Sequence, residues 1–129
     1  MTKTQLNPWK WQDMYGFSQG WRVDEGQSVI FVSGQASISS EGDVLYSDDF
    51  EAQVRLTFEN LQKVLNEAGA TLENVVKLGA FFTDIKRLPE YGAVQAGFFK
   101  GQMPAQTAIE VSSLALPGMM IEVEAYAVL

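Results

Sequence analysis

The chain has 129 residues, of which 47% are hydrophobic and 19% are charged. These proportions are typical of a soluble globular protein, and the length favours one domain over 1–129 that buries its own core. The absence of cysteine and histidine excludes disulfides, thiolate metal sites and imidazole-based triads, so we expect no metal site. The net charge of -7 disfavours nucleic acid as a partner, because phosphate binding depends on Lys and Arg.

The cellular location is predicted from what the sequence lacks. No apolar run approaches the roughly 20 residues that a membrane-spanning helix needs. The N-terminus has no basic segment followed by an apolar one, as a signal peptide would. We therefore expect a cytoplasmic protein that does not contact membranes.

The N-terminal part of the chain predicts an arm followed by a hairpin. Residues 1–15 are expected to form an irregular arm, whose Trp9 and Trp11 cover the edge of the core or of an interface. A stacking site for a ligand ring is the alternative for these two side chains. Residues 17–23 and 28–33 have strand patterns on either side of a turn, which predicts that they pair with each other.

The middle of the chain predicts two helices and a buried strand. Residues 49–68 carry apolar side chains at three- and four-residue spacing, with Ser47 or Asp48 as the N-cap and Gly69 as the left-handed residue that ends the helix. Residues 75–83 predict a central strand, and residues 89–99 predict a second helix with Pro89 in its first turn.

The C-terminal part predicts two strands, 103–111 and 119–128, joined as an antiparallel hairpin through Pro117 and Gly118. In the second strand, alternation places one wholly apolar set of side chains on one face. The opposite face mixes carboxylates with large apolar groups: Met120, Glu122, Glu124, Tyr126 and Val128. Such a face fits a surface shared with another subunit or the lining of a pocket. The order of elements predicts an α+β sandwich, with two helices on one face of a mixed sheet.

Several short motifs, in this order, resemble the RidA/YjgF family, also called endoribonuclease L-PSP-like proteins. The resemblance extends from about residue 16 to the C-terminus. It rests on Val32-Ser33-Gly34-Gln35, Phe58-Glu59-Asn60-Leu61, Leu65-Asn66-Glu67-Ala68-Gly69-Ala70-Thr71, Phe82-Thr83-Asp84, Phe98-Phe99, Pro104-Ala105 and Ile121-Glu122-Val123-Glu124-Ala125.

The resemblance implies a chorismate-mutase-like fold that assembles as a homotrimer. The three sheets would pack around the axis in a barrel-like core, and a small-molecule pocket would lie at each subunit interface. The implied reaction is the hydrolysis of a 2-imino or 2-enamino acid to a keto acid and ammonia, without a cofactor.

The site residues implied by the resemblance match in part. Ser33, Gly34 and Glu122 stand where the family has its Ser-Gly backbone and its last-strand glutamate. An arginine that binds the substrate carboxylate is replaced by Gln106, and the aromatic hydroxyl expected near the first strand is replaced by Phe17, with Tyr15 nearby. The expected asparagine before the aromatic pair of the second helix aligns with Gly92, and the neighbours of Gln106, Ala105 and Thr107, complete the predicted substrate-binding set.

Gln106 changes the expected ligand. A neutral amide cannot replace the charged, two-pronged hydrogen bond of a guanidinium, so an imino acid should bind about ten- to a hundredfold more weakly. With Glu122 retained as general acid/base or as the anchor of a water, we expect a neutral or cationic ligand. Alternatively, Gln106 and Glu122 are interface residues of a non-catalytic, metabolite-binding trimer. A ribonuclease is the least favoured function, since histidine is absent and the chain is acidic.

Overall fold

The computed structural model describes residues 1–101 and 103–129. Within them it contains six strands, two α-helices and three short 3-10 turns. The main elements are β1 (Thr2–Leu6), β2 (Gly20–Asp24), β3 (Val29–Ala36), α1 (Phe50–Glu67), β4 (Val75–Phe82), α2 (Leu88–Phe98), β5 (Ala105–Glu110) and β6 (Ile121–Val128).

Helix α1 begins and ends where side-chain and backbone chemistry require it. The N-cap is Asp49, whose carboxylate accepts a hydrogen bond from the Ala52 N–H at 3.1 Å, and not Ser47 or Asp48. At the other end Gly69 has a φ of +73°, as predicted for the left-handed residue that ends the helix. The predicted range of 49–68 therefore differs from the structure by one residue at each end.

Both helices cover one face of a four-stranded mixed sheet, so the predicted α+β sandwich is confirmed. The sheet has the order β3-β6-β4-β5. Phe58 of α1 and Phe82 of β4 both pack against Tyr91 of α2, with ring centroids 5.7 and 5.1 Å from that of Tyr91. All three side chains are fully buried, which places the core between this sheet face and the helices.

The predicted C-terminal hairpin is wrong. Strand β5 lies parallel to β4, after a crossover through α2, whereas β6 lies between β3 and β4 and is antiparallel to both. Parallel neighbours need a long crossover such as a helix, and α2 provides it. The ten residues 111–120 then carry the chain past β4 to β6, so Pro117 and Gly118 do not form a tight hairpin turn.

The predicted N-terminal hairpin is also wrong. Strand β2 pairs antiparallel with β1 in a separate two-stranded sheet, so the first residues are not an irregular arm. After β2 the chain turns toward the C-terminus, where the N–H groups of Gln27 and Ser28 donate to the Leu129 carbonyl. This turn directs β3 to β6 and away from β2.

Gln53 fixes the entry to β6. It lies on α1 and is fully buried, and its amide is hydrogen-bonded at both ends. Its Nε2 donates to the carbonyls of Leu45 and Gly118, and its Oε1 accepts from the Met120 N–H at 2.9 Å. These bonds hold the 111–120 connection against the helix and so determine where β6 starts.

No helix within 1–101 and 103–129 is long and apolar enough to cross a membrane.

Candidate functional site

The sheet face opposite the helices carries large apolar groups without cover from this chain. Phe31 of β3 and Tyr126 of β6 pack edge to face with centroids 5.5 Å apart, yet they are 75% and 43% exposed. Val29 and Ile109 are also exposed on strands of this sheet. The alternation predicted for β6 is confirmed for its apolar face. On the mixed face only Val128 differs, because it is buried.

Ser33, Gly34 and Glu122 come together on the uncovered face, at an irregular point in the sheet. The register between β3 and β6 shifts between Val32, which pairs with Ala125, and Gln35, which pairs with Val123, so Ser33 and Gly34 form a bulge opposite Glu124. The Glu122 carboxylate lies directly against the Cα atom of Gly34, and a Cβ atom at that position would overlap it. Glycine therefore allows the close approach of the half-buried carboxylate.

Gln106 lies on the other face of the sheet. It is paired with Leu78 of β4, which is itself paired with Ala125 of β6, and both of these side chains are buried. Because paired residues on neighbouring strands point to the same face, Gln106 lies on the core face. Glu122 instead pairs with Phe81, which lies three positions from Leu78 along β4. Because side chains alternate between faces, Glu122 points to the opposite face. Within one chain the sheet therefore separates the predicted carboxylate from the predicted ligand amide.

Gln106 lines a cavity of about 540 Å³ between the short 3-10 turn Trp11–Tyr15 and helix α2. Met14, Leu88, Pro89 and Met103 contribute apolar walls. Among the described residues that line the cavity, Asp13 is the only charged one. A second cavity of the same volume lies near Lys3, Thr71 and Phe99, and none of the predicted site residues lines it.

Three side chains in the wall of the Gln106 cavity form a hydrogen-bonded relay. The Tyr91 hydroxyl donates to Gln106 Oε1 at 2.6 Å, and Gln106 Nε2 donates to Gln95 Oε1 at 3.2 Å. Complete burial raises the pKa of the Tyr91 phenol far above its ordinary value, so the hydroxyl remains a donor. The Nε2 of Gln95 is buried and has no hydrogen-bond partner within the described part of the chain.

The remaining predicted substrate contacts are spread over both regions. Phe17 packs edge-on against Trp11, with ring centroids 5.8 Å apart, whereas the nearby Tyr15 lines the Gln106 cavity. Ala105 pairs with Lys77 at the start of β5. Thr107 is exposed on the uncovered face, where the Lys77 ammonium donates to its hydroxyl at 3.0 Å.

The hydrogen-bond partners of Gln106 were not predicted from the sequence. Gln95 and Tyr91 belong to the buried side of α2, and Gly92 lines the same cavity. One signal was available, because Gln95 is a polar residue that follows Tyr91 by four positions and therefore falls on the apolar stripe of the helix. Tyr15, which was noted as lying close to Phe17, is in the cavity wall.

Comparison with known proteins identifies the family. A family profile described as endoribonuclease L-PSP matches residues 12–129. The chain belongs to the RidA/YjgF family. A RutC family protein of Pyrococcus abyssi is 36% identical over 100 residues, which are 78% of each protein.

Solved structures of the RidA/YjgF family have the same fold. The conserved Rid family protein YyfB of Yersinia pestis superposes over 100% of both chains with a TM-score of 0.90 and 29% identity. RidA of the Antarctic bacterium Psychrobacter sp. has a TM-score of 0.74 and 26% identity over 88% of each chain. This RidA/YjgF chain therefore shares its backbone with these proteins at low sequence identity.

Proposed function

We propose that this RidA/YjgF protein is a homotrimer that binds a small molecule between its subunits. In each site one subunit would provide the cavity around Gln106, and its neighbour would provide Ser33, Gly34 and Glu122. The reaction that fits these groups is the cofactor-free hydrolysis of an imine or enamine.

The observation that carries the proposal is the separation of the two predicted halves of the site. Glu122 and Gln106 lie on opposite faces of one sheet, so within a single chain they cannot contact the same small molecule. A second copy that packs against the uncovered face can bring its own cavity to Glu122. The family resemblance, which implies pockets between subunits, supports this arrangement.

The uncovered face supports self-association independently of the site. Phe31 is 75% exposed, and Val29, Ile109 and Tyr126 add further apolar surface on the same sheet. Exposed apolar patches of this kind mark interaction surfaces in soluble proteins. A closed symmetric assembly buries such a face and leaves no free copy of it.

The chemistry requires one carboxylate and one water. Glu122 would hold a water and accept its proton as the oxygen attacks the imine carbon. Glu122 returns that proton to the nitrogen, which gives a carbinolamine. The carbinolamine hydroxyl then passes its proton to the nitrogen through the same carboxylate as the C–N bond breaks, so that a C=O bond forms and the nitrogen leaves as ammonia. An imine and water thus give a carbonyl compound and ammonia, without any oxidation or reduction.

Mixed trimers test whether two chains share each site. Glu122→Gln removes the carboxylate, and Gly92→Trp fills the cavity, since the space beyond the Gly92 Cα atom is open. We expect each variant alone to lose ammonia release from 2-aminoacrylate and its uncharged amide, both generated in situ. After the two variants are mixed and reassembled in equal amounts, about a quarter of the sites combine two intact halves and should regain activity.

The matched control is Gly97→Trp, a change on the same helix at a position that is also open but does not line the cavity. It should leave activity unchanged. Mixtures that stay inactive, although each variant is a trimer and the wild-type enzyme is active, would contradict a shared site. A wild-type rate equal to that of buffer with both substrates would contradict the hydrolase.

The second candidate function is a non-catalytic trimer that binds a metabolite in the same pocket. It is favoured by the relay, because Gln106 is held by Tyr91 and Gln95 in a fixed position and carries no charge to orient a reacting acid. Thermal stabilisation by a ligand that the protein does not turn over, unaffected by Glu122→Gln, would support this function over hydrolysis.

A further inference from the structure

The relay in the cavity wall has a direction. The 2.6 Å separation between the Tyr91 oxygen and Gln106 Oε1 is typical of an O–H···O bond and short for an N–H···O bond. The oxygen of the Gln106 amide therefore faces Tyr91, and its nitrogen faces Gln95 Oε1. Tyr91 therefore fixes the orientation of the Gln106 amide, and Gln106 in turn fixes the orientation of the Gln95 amide.

The chain of hydrogen bonds ends in donors that have no acceptor in the described part of the protein. The Gln95 side chain lines the cavity, the residue is only 2% exposed, and its Nε2 has no partner among the described residues. Gln106 Nε2 also has a second hydrogen besides the one it gives to Gln95. Because a buried donor without a partner destabilises the protein, an acceptor on a bound ligand would regain that free energy.

The charge around the cavity selects the kind of acceptor. Asp13 is the only charged side chain among the described residues of the wall, and the amides of Gln95 and Gln106 are neutral. A carboxylate would meet neutral donors beside a negative charge, without an ion pair to offset its loss of water. An uncharged carbonyl oxygen pays a smaller desolvation cost and accepts from the same N–H groups.

We propose that Gln95 and Gln106 together make this protein selective for ligands anchored by an uncharged carbonyl group, such as an amide or ester, instead of a carboxylate. This inference rests on the proposed function, since the same cavity is one half of the proposed site. Gln95 is the specificity-determining residue, because its amide supplies the donor that has no partner within residues 1–101 and 103–129.

The proposal defines the substrate class more narrowly. The substrate would be an imine or enamine next to a neutral carbonyl, with a short apolar chain against Met14, Leu88 and Met103. Water would replace nitrogen at the imine carbon, and the products would be a 2-oxo amide or ester and ammonia. The anchoring carbonyl itself is not changed in the reaction.

Binding of a matched pair of probes tests the inference. 2-Oxobutanamide and 2-oxobutanoate differ only in an NH2 group against an O⁻, and titration calorimetry measures both without catalysis. We expect the wild-type protein to bind the amide at least about tenfold more tightly than the acid. Gln95→Leu should remove most of that preference, and Gln62→Leu, a glutamine in the wall of the other cavity, should leave it unchanged.

Gln95→Glu separates recognition from structure. The new carboxylate can still accept from Gln106 Nε2, so the relay is kept, but the donor is lost. We expect 2-oxobutanamide to bind at least about tenfold more weakly, while far-UV circular dichroism shows a folded protein whose melting temperature is lowered by burial of the new carboxylate. Unchanged affinity in both Gln95 variants would show that Gln95 does not contact the ligand and would overturn the inference.

Two further results would overturn it. One is equal or tighter binding of 2-oxobutanoate, and the other is no binding of either probe at the highest concentration that the calorimeter allows. Neither result bears on the shared site, which the mixed trimers test. Conversely, inactive mixtures together with a clear preference for the amide would contradict the proposed function and leave the preference of the cavity established.

Discussion

The two faces of the mixed sheet have similar side chains but different cover. On the helix side, Phe82 of β4 is fully buried against Tyr91 and α1. On the other side, Phe31 of β3 is 75% exposed, and Tyr126 of β6 is its only aromatic neighbour among the described residues. Alternation along a strand thus builds two apolar faces, of which this chain covers one.

The difference shows how the candidate site is divided. Glu122 belongs to the uncovered face, where the bulge at Gly34 makes room for its carboxylate. Gln106 belongs to the covered face, where Tyr91 and Gln95 fix its amide. Folding of one chain therefore orders the amide, whereas the surroundings of the carboxylate depend on what covers the other face.

The largest expected effect comes from the covered face. Phe58→Ala would leave a cavity beneath three aromatic rings and should lower the free energy of unfolding by about 3–5 kcal/mol, measured by urea denaturation. A Phe31→Ala variant, measured below the concentration at which the subunits associate, should change it by less than about 1 kcal/mol, because Phe31 is mostly exposed in the single chain. Similar losses in both variants would contradict the difference between the faces.

On the uncovered face we expect a change of assembly instead of folding. Phe31→Glu places a carboxylate in the middle of the apolar patch, where burial against another copy would be costly. Sedimentation should show monomers of 14.3 kDa, while far-UV circular dichroism remains that of the wild type. An unchanged assembly would show that this face is not the interface. Lys63→Glu, on the solvent side of α1, is the matched charge-changing control and should not dissociate the protein.

Gly34→Ala should affect activity more than stability. The new Cβ atom overlaps the Glu122 carboxylate, which must turn away because the backbone of the bulge cannot move as easily as a side-chain tip. We expect about a tenfold lower rate of ammonia release and a loss of less than about 1 kcal/mol in stability. Gly97→Ala, where no atom lies near the added group, is the control. A full rate in Gly34→Ala would argue against a role for the position of Glu122.

The smallest expected effect is a pH dependence on the covered face. Burial raises the pKa of Tyr91, so above about pH 10 the phenol ionises in the unfolded chain but stays protonated in the folded one. The unfolded state then binds fewer protons, and stability should fall by up to about 1.4 kcal/mol per pH unit from this group. Tyr91→Phe should remove that part of the slope between pH 10 and 11. An identical slope in both proteins would contradict it.

The sequence predicted the elements better than their partners. The apolar stripe of α1 and the alternation of β6 each depend on local spacing, and both were confirmed. The neighbour of β5 could not be predicted in this way, because a period of two is the same for parallel and antiparallel pairing. The crossover through α2 decided it, and the tight turn suggested by Pro117 and Gly118 was misleading.

The site was predicted as a set of residues but not as an arrangement. Ser33, Gly34 and Glu122 followed from the family motifs, and the structure brings them together. The partner of Gln106 did not follow, since nothing in the spacing of β5 shows which of its faces meets the helices. Gln95 was missed because a buried glutamine is recognisable only when the tertiary contacts that satisfy its oxygen are known.

The mass of the protein in solution tests the account most directly. Light scattering of the wild-type protein at micromolar concentration should give three times the chain mass of 14.3 kDa. A monodisperse species of one chain mass, with Phe31 and Glu122 open to water, would contradict both the interface and the site that depends on it.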